Sequence, residues 1–128
     1  KDLDYFVYKP IKSLVDFIRQ KKTISICFPR NINNYKKFVD NVNPDIISID
    51  YNVNPSIIRD TIDIPIQGGL DPKILLQSKE AVRNEVTKYL KTFNKKRYIF
   101  NLGHGVLPET SPDMVKYLVN EVRSFNGQ

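Results

Sequence analysis

The sequence predicts an α/β fold built on a parallel sheet, and three observations predict it. Hydrophobic periodicity switches repeatedly between the strand and helix types along the chain. Helix-start signals recur just after each apolar strand run, at Asn33-Asn34, Asn54-Pro55, Asp71-Pro72 and Ser111-Pro112. Strands alternating with helices at this spacing give right-handed βαβ units rather than hairpins.

Pro10 opens a first helix whose apolar stripe is Ile11, Leu14, Val15 and Ile18, with Lys21-Lys22 at the end the helix dipole favours for cations. A strand over Thr23 to Phe28 follows, with Ile24, Ile26 and Phe28 in alternation, and it stops at Pro29. The next helix begins after Asn33 or Asn34 and buries Tyr35, Phe38, Val39 and Val42. Pro44 resets the chain, and Ile46 to Ile49 reads as a second strand ending at Asp50-Tyr51. Asn54-Pro55 then caps a short helix holding Ile57, Ile58 and Arg59.

Ile62, Ile64 and Ile66 predict a third strand, terminated by Gln67-Gly68-Gly69. Asp71-Pro72 caps a helical turn through Ile74, Leu75 and Leu76, and Ser78 opens a longer helix with Ala81, Val82, Val86, Tyr89, Leu90 and Phe93 on one side. Tyr98 to Phe100 forms the fourth strand. The last helix starts at Ser111-Pro112, is lined by Met114, Val115, Leu118, Val119, Val122 and Phe125, and stops at Gly127. Met114 and Phe125 read as core. About four βα units are too few for a closed barrel, which needs about 250 residues, so the chain is either a small open sheet or part of something larger.

Composition narrows the function classes. The 128 residues hold one core, and 41% hydrophobic with 27% charged residues is the balance of a globular chain. No apolar run nears the roughly 18 residues of a membrane span, and the first residues carry no signal-peptide core, so a cytoplasmic setting is expected. Cys27 is the sole cysteine, which excludes an intrachain disulfide and a cysteine-based zinc cluster. The formal charge of +6 comes from lysines scattered in pairs, such as Lys36-Lys37 and Lys95-Lys96. That pattern is a solvated surface rather than a nucleic-acid or membrane patch. With no Met at position 1, the chain is expected to begin inside a longer protein.

The chemistry-bearing candidate is His104, the single histidine, in Asn101-Leu102-Gly103-His104-Gly105. It lies just past a strand's C-terminal end, where α/β proteins place their sites, and two glycines flank it. A histidine that only packs does not need glycine on both sides. Asp50 also ends a strand, and it either faces the cavity or pairs with Arg59. Arg30, just beyond the first strand, supplies positive potential at the mouth or is a solvated loop arginine. Asn101 fixes the glycine turn through side-chain bonds to the backbone. The glycines after Gln67 lack the spacing of a dinucleotide or P-loop fingerprint.

Three motifs in order carry a resemblance: Ile49-Asp50-Tyr51 with Pro55 and Arg59; Gln67-Gly68-Gly69-Leu70-Asp71-Pro72; and Tyr98-Ile99-Phe100-Asn101-Leu102-Gly103-His104-Gly105 with Pro108. Together they resemble the C-terminal third of the uroporphyrinogen decarboxylase family, over nearly the whole chain. The second motif departs slightly, with Gly69 where the family often has Asn; a turn accepts either.

The resemblance implies that residues 1–128 are a single C-terminal segment, about four βα units, of a (βα)8 TIM-type barrel whose N-terminal part is absent from this chain. It implies a haem-biosynthetic enzyme, a homodimer without metal or organic cofactor, that removes the four acetate carboxylates of uroporphyrinogen III to give coproporphyrinogen III. The family's pyrrole-facing Asp, its Arg pair, a Tyr and a Ser have no matching positions here, so the segment alone is expected to be inactive. His104 alone carries over, as a substrate-binding residue that orients a carboxylate arm. Two alternatives stay open: a zinc-dependent corrinoid or thiol methyltransferase of the same superfamily, whose ligands are hard to build from Cys27 and His104, and a non-enzymatic α/β module binding an anionic partner.

Overall fold

A computed structural model describes residues 2–125. Four parallel strands form one sheet in sequential order: β1 (Ile26–Cys27), β2 (Ile46–Ile49), β3 (Ile66–Gly68) and β4 (Tyr98–Ile99). The helices are α1 (Lys9–Gln20), α2 (Tyr35–Val42), α3 (Pro55–Thr61), α4 (Lys79–Thr92) and α5 (Pro112–Ser124). A π-helical turn at Asp4–Tyr8 precedes α1, and a 3-10 turn at Pro72–Leu76 precedes α4. The arrangement is α/β and compatible with part of a TIM barrel.

The predicted caps are the ones used. Asn34 accepts the Lys37 N–H at 2.8 Å, Asn54 that of Ser56 at 2.9 Å, and Asp71 that of Lys73 at 2.9 Å. Ser78 and Ser111 cap α4 and α5 by the same kind of bond, at 3.2 and 3.3 Å. Each satisfies a backbone donor that the first helical turn cannot.

Strand register sorts side chains between two faces. Cys27, Ile47, Ile49 and Ile66 face the helices, where Ile47, Ile49 and Ile66 are at most 1% exposed beside Phe38, Val82 and Phe93. The Tyr98 ring stacks on Phe93, 4.3 Å between centroids. The other face is open: Ile26 pairs with Ile46, and Ser48, Gln67 and Ile99 lie side by side on it. Ile26 and Ile99 remain 52% and 44% exposed there. Below the sheet, at its N-terminal end, the Asp45 carboxylate accepts the Ser25 N–H at 2.8 Å and hydroxyl at 2.7 Å. Those two bonds, aided by Arg19, hold the Asp45 carboxyl below its usual range.

Several expectations are corrected. The first helical region starts well before Pro10, and its buried residues are Tyr8 and Val15, whereas Leu14 is exposed. β1 is shorter than Thr23 to Phe28, because its alternating isoleucines point at the open face and only Ile26 and Cys27 find a ladder partner. The third strand is displaced: Ile62 is the buried C-cap residue of α3, and the ladder runs through Ile66 to Gly68, so a glycine read as a turn is strand. Val119 is 39% exposed rather than core. The stop expected at Gly127 lies outside the described residues.

Candidate functional site

The C-terminal ends of β2 and β4 and their following loops bring Asp50, Asn101 and His104, but not Arg30, to one edge of the sheet, because parallel strands all finish on the same side. The central feature is the loop after β4. Leu102 bridges to Leu70, and the Gly103 N–H donates to the Leu70 carbonyl at 2.7 Å, carrying the β4 ladder past its regular end. Gly103 then presses on the end of β2: a Cβ built there would lie 2.5 Å from the Tyr51 backbone nitrogen and 3.0 Å from the Asp50 carbonyl carbon. Gly68 makes this crossing possible. Its φ is +84°, and a Cβ on it would stand 3.1 Å from the Leu102 carbonyl oxygen and 3.2 Å from that of Ile49.

Two tyrosines fix the turn beneath. The Tyr98 hydroxyl donates to the Gly68 carbonyl at 2.7 Å, and the Tyr89 hydroxyl to the Gly69 carbonyl at 2.6 Å. Burial pushes the Tyr89 phenol up to about 12 and that of Tyr98 further still. Gly69, at φ +102°, is not the neutral turn position the sequence suggested, since a Cβ would approach Ile49 at 2.9 Å and Tyr89 at 3.0 Å.

His104 follows Gly103 directly and is exposed. It is not a packed core histidine. Around Gly105 a Cβ would meet nothing within 4 Å, so the two flanking glycines differ: Gly103 is required by packing and Gly105 is free of it. Asn101 is exposed on the same loop, and its Oδ1 accepts the N–H of Leu102 at 2.8 Å.

Asp50 is 2% exposed, and neither carboxylate oxygen has a hydrogen-bond partner among the described residues. Its backbone N–H donates to the Tyr35 hydroxyl oxygen at 3.0 Å. The Tyr35 phenol is pushed up, chiefly by burial. The pairing with Arg59 is not formed: Arg59 binds the neighbouring Asp60 at 2.7 and 2.9 Å on the surface, a reach that adjacent side chains on a short helix satisfy without crossing the fold. Asp50 instead borders a cavity of about 350 Å³ between the loops after β1 and β2, with Asn31, Asn33, Tyr35 and Asn52 around it. Arg30 sits elsewhere, exposed on a neighbouring depression lined also by Val7, Tyr8 and Ile11 of the N-terminal helical segment.

The thiol of Cys27 faces the helices, and burial, then the charge of Asp45, pushes it up. It is therefore on the opposite side of the sheet from the open face. Among the described residues no group of three or more His, Cys, Asp or Glu is placed to hold a metal ion, and no helix is long and apolar enough to cross a membrane.

Sequence reasoning missed Tyr35 and the unequal flanking glycines. Tyr35 had one legible signal, its place directly after the Asn34 cap, which aims the first helical turn at the strand ends; the contact of Gly103 with Tyr51 left none, being a matter of distance between loops.

Residues 1–125 match the family model for uroporphyrinogen decarboxylase (URO-D). Similar proteins named uroporphyrinogen decarboxylase include that of Rickettsia felis, 38% identical over 94% of this chain, and that of Rickettsia canadensis, 36% identical over the same share. One from a Wolbachia of Drosophila simulans is 36% identical, also over 94% of the chain. The chain spans about 36% of the length of these relatives.

Proposed function

Since this chain belongs to the uroporphyrinogen decarboxylase family, we propose that it is the C-terminal segment of an enzyme that decarboxylates uroporphyrinogen III to coproporphyrinogen III, working in the cytoplasm as a homodimer. The observation that carries this reading is the loop after β4, which sets the exposed His104 at the C-terminal edge of the sheet on a glycine wedged against β2.

The substrate is a flexible polyanion with four acetate and four propionate arms. Its pyrrole serves as the electron sink: protonation at a ring carbon gives an iminium that accepts the electrons released with CO2, and a second protonation restores the ring with a methyl group in place of the acetate. No metal or organic cofactor enters. The protein's task is to orient carboxylates and stabilise a cation, which is positioning and electrostatic preorganisation. In that scheme His104 donates a hydrogen bond to a carboxylate arm, a binding and orienting role, while Arg30 adds positive potential and Asp50 and Asn101 support the site. The carboxylate and arginines that face the pyrrole and its arms belong to the remainder of the protein, so residues 1–128 form one segment of a shared barrel.

The zinc-methyltransferase reading is disfavoured by the placement of Cys27, whose thiol lies on the helix side of the sheet. A basic module that only binds anions would need neither the glycine-wedged loop nor its exposed histidine.

Turnover of uroporphyrinogen by the full-length protein and its His104→Ala variant tests the reading. The variant is expected to lose kcat/KM by roughly 1–3 kcal/mol, the cost of a lost hydrogen bond to a charged group, with the fold intact. The mass-verified chain alone is expected to be inactive. Wild-type protein without decarboxylation, or a variant with unchanged kinetics on all acetate-bearing intermediates, would overturn it.

A further inference from the structure

We propose that the free edge of β4, beside the valines of α5, is the docking site for a parallel, apolar strand from the rest of the protein, and that Asn101 ends that pairing before the His104 loop. The inference rests on the reading of this chain as one segment of a longer decarboxylase barrel. It adds where the next strand lies and where it stops.

Among the described residues β4 pairs with β3 and with no other strand. Successive backbone N–H groups along a strand point to opposite sides. The Gly103 N–H takes the β3 side, donating to the Leu70 carbonyl at 2.7 Å, so the Leu102 N–H points to the free edge. There Oδ1 of Asn101 accepts it at 2.8 Å. The same alternation turns the Phe100 N–H to that edge, where none of the described residues accepts it. One edge donor is thus capped by a neighbouring side chain and the donor before it is open, which blunts the edge beyond Phe100 and leaves it available up to there.

A groove of about 280 Å³ runs along this edge, lined by Phe100 and Leu102 on one side and by Val115, Val119 and Val122 of α5 on the other, with Arg123 its one ionisable side chain. Leu118 is the buried residue of α5, whereas Val119 is left 39% exposed. Such a groove suits a strand whose alternate side chains are apolar and face the helix, as those of β2 and β3 already do. Every ladder of the sheet is parallel, and a strand added here continues that order. This chain spans about 36% of its relatives' length, so most of the protein remains to supply one. A second copy is the poorer occupant, because its own edge is no longer than Tyr98 to Phe100 and so short a ladder must then offset the entropy of association. The stop at Asn101 leaves the His104 loop unpaired on that side, free to meet substrate.

Amide hydrogen exchange and thermal melting of the full-length protein test this. The Phe100 N–H is expected to exchange about a hundredfold or more slower than in an unstructured chain, at any protein concentration. Asn101→Ala should speed exchange at Leu102 about tenfold or more and leave Phe100 unchanged, while Asn101→Asp, which keeps an accepting oxygen, leaves both protected. Val119→Asp should lower the melting temperature by about 5 °C or more, against about 1 °C or less for Asn120→Asp at the next, exposed position of α5. Val119→Thr, of the same shape, stands in if the aspartate variant does not fold, and should also melt below wild type. Fast exchange at Phe100, or a Val119 variant as stable as Asn120→Asp, overturns the docking site. Protection that appears only as concentration is raised assigns the edge to a second copy and overturns it too. Leu102 exchange unmoved by Asn101→Ala would mean that the strand runs on past Asn101, against the stop. None of these readouts uses turnover, so a protected Phe100 in a protein without decarboxylation would overturn the decarboxylase reading alone.

Discussion

Gly103 lies so close to Tyr51 that a single added carbon would stand 2.5 Å from the Tyr51 backbone nitrogen. Backbone cannot yield to such a contact as a flexible side-chain end can. Gly103→Ala is therefore predicted to push the His104 loop off the end of β2, costing about 1–3 kcal/mol, as overpacking does. Gly105→Ala meets nothing and should change stability by less than about 0.5 kcal/mol, the usual range for a surface substitution. Thermal unfolding of the two variants in the full-length protein checks the contrast, and equal losses would show that the glycines are interchangeable.

That contrast also shows where the sequence stops being legible. Caps are local: Asn34, Asn54, Asp71, Ser78 and Ser111 each bond a donor two or three residues away, so their residue types announce them. The placement of His104 past a strand end was legible for the same reason. Ile62 was not, because the period of isoleucines at 62, 64 and 66 suits a strand, and only the packing of α3 turns the first of them into a buried helix end. Asp50 and Arg59 are in one motif, yet Arg59 found a carboxylate at the next residue. Gly103 and Gly105 look identical in sequence, and only the distance to another loop distinguishes them.

Asp50 leads to a second prediction. A carboxylate with both oxygens buried and unpartnered is costly, and an amide of the same shape carries no charge and brings donors of its own. Asp50→Asn is predicted to stabilise the full-length protein by about 1 kcal/mol. Chemical denaturation of wild type and variant measures it. A loss of stability would mean that a cation or donor from outside the described residues already satisfies Asp50.

The buried tyrosines make stability sensitive to alkali, and the sign follows from their direction of shift. Burial raises the Tyr89 phenol from 10.0 to about 12, so the unfolded chain gives up this proton first. The contribution is complete below about pH 10 and is lost as pH rises through about 12. Tyr98 shifts in the same direction and extends the loss. Tyr89→Phe lacks the bond to the Gly69 carbonyl and is predicted to be less stable than wild type at pH 8, by about 1 kcal/mol, with that gap closing by pH 11.5. Denaturation of both proteins at the two pH values measures the gap, and a gap that stays constant would mean that Tyr89 does not titrate with unfolding.

The last prediction concerns the sheet as it stands in this chain. β1 and β4 are each paired on one side only, and parallel sheets are normally covered on both faces. Here the helices cover one face, while Ile26 and Ile99 are about half exposed on the other, with Ser48 and Gln67 between them. Ile24 and Phe28, flanking β1, are 68% and 44% exposed. The chain by itself is therefore predicted to associate with a copy of itself, with the rest of a longer protein, or into aggregates. Size-exclusion chromatography with light scattering decides the matter. A monodisperse monomer of 14.9 kDa with a cooperative melt would mean that four strands and their helices are stable with an open face, and the part-barrel reading would have to be abandoned.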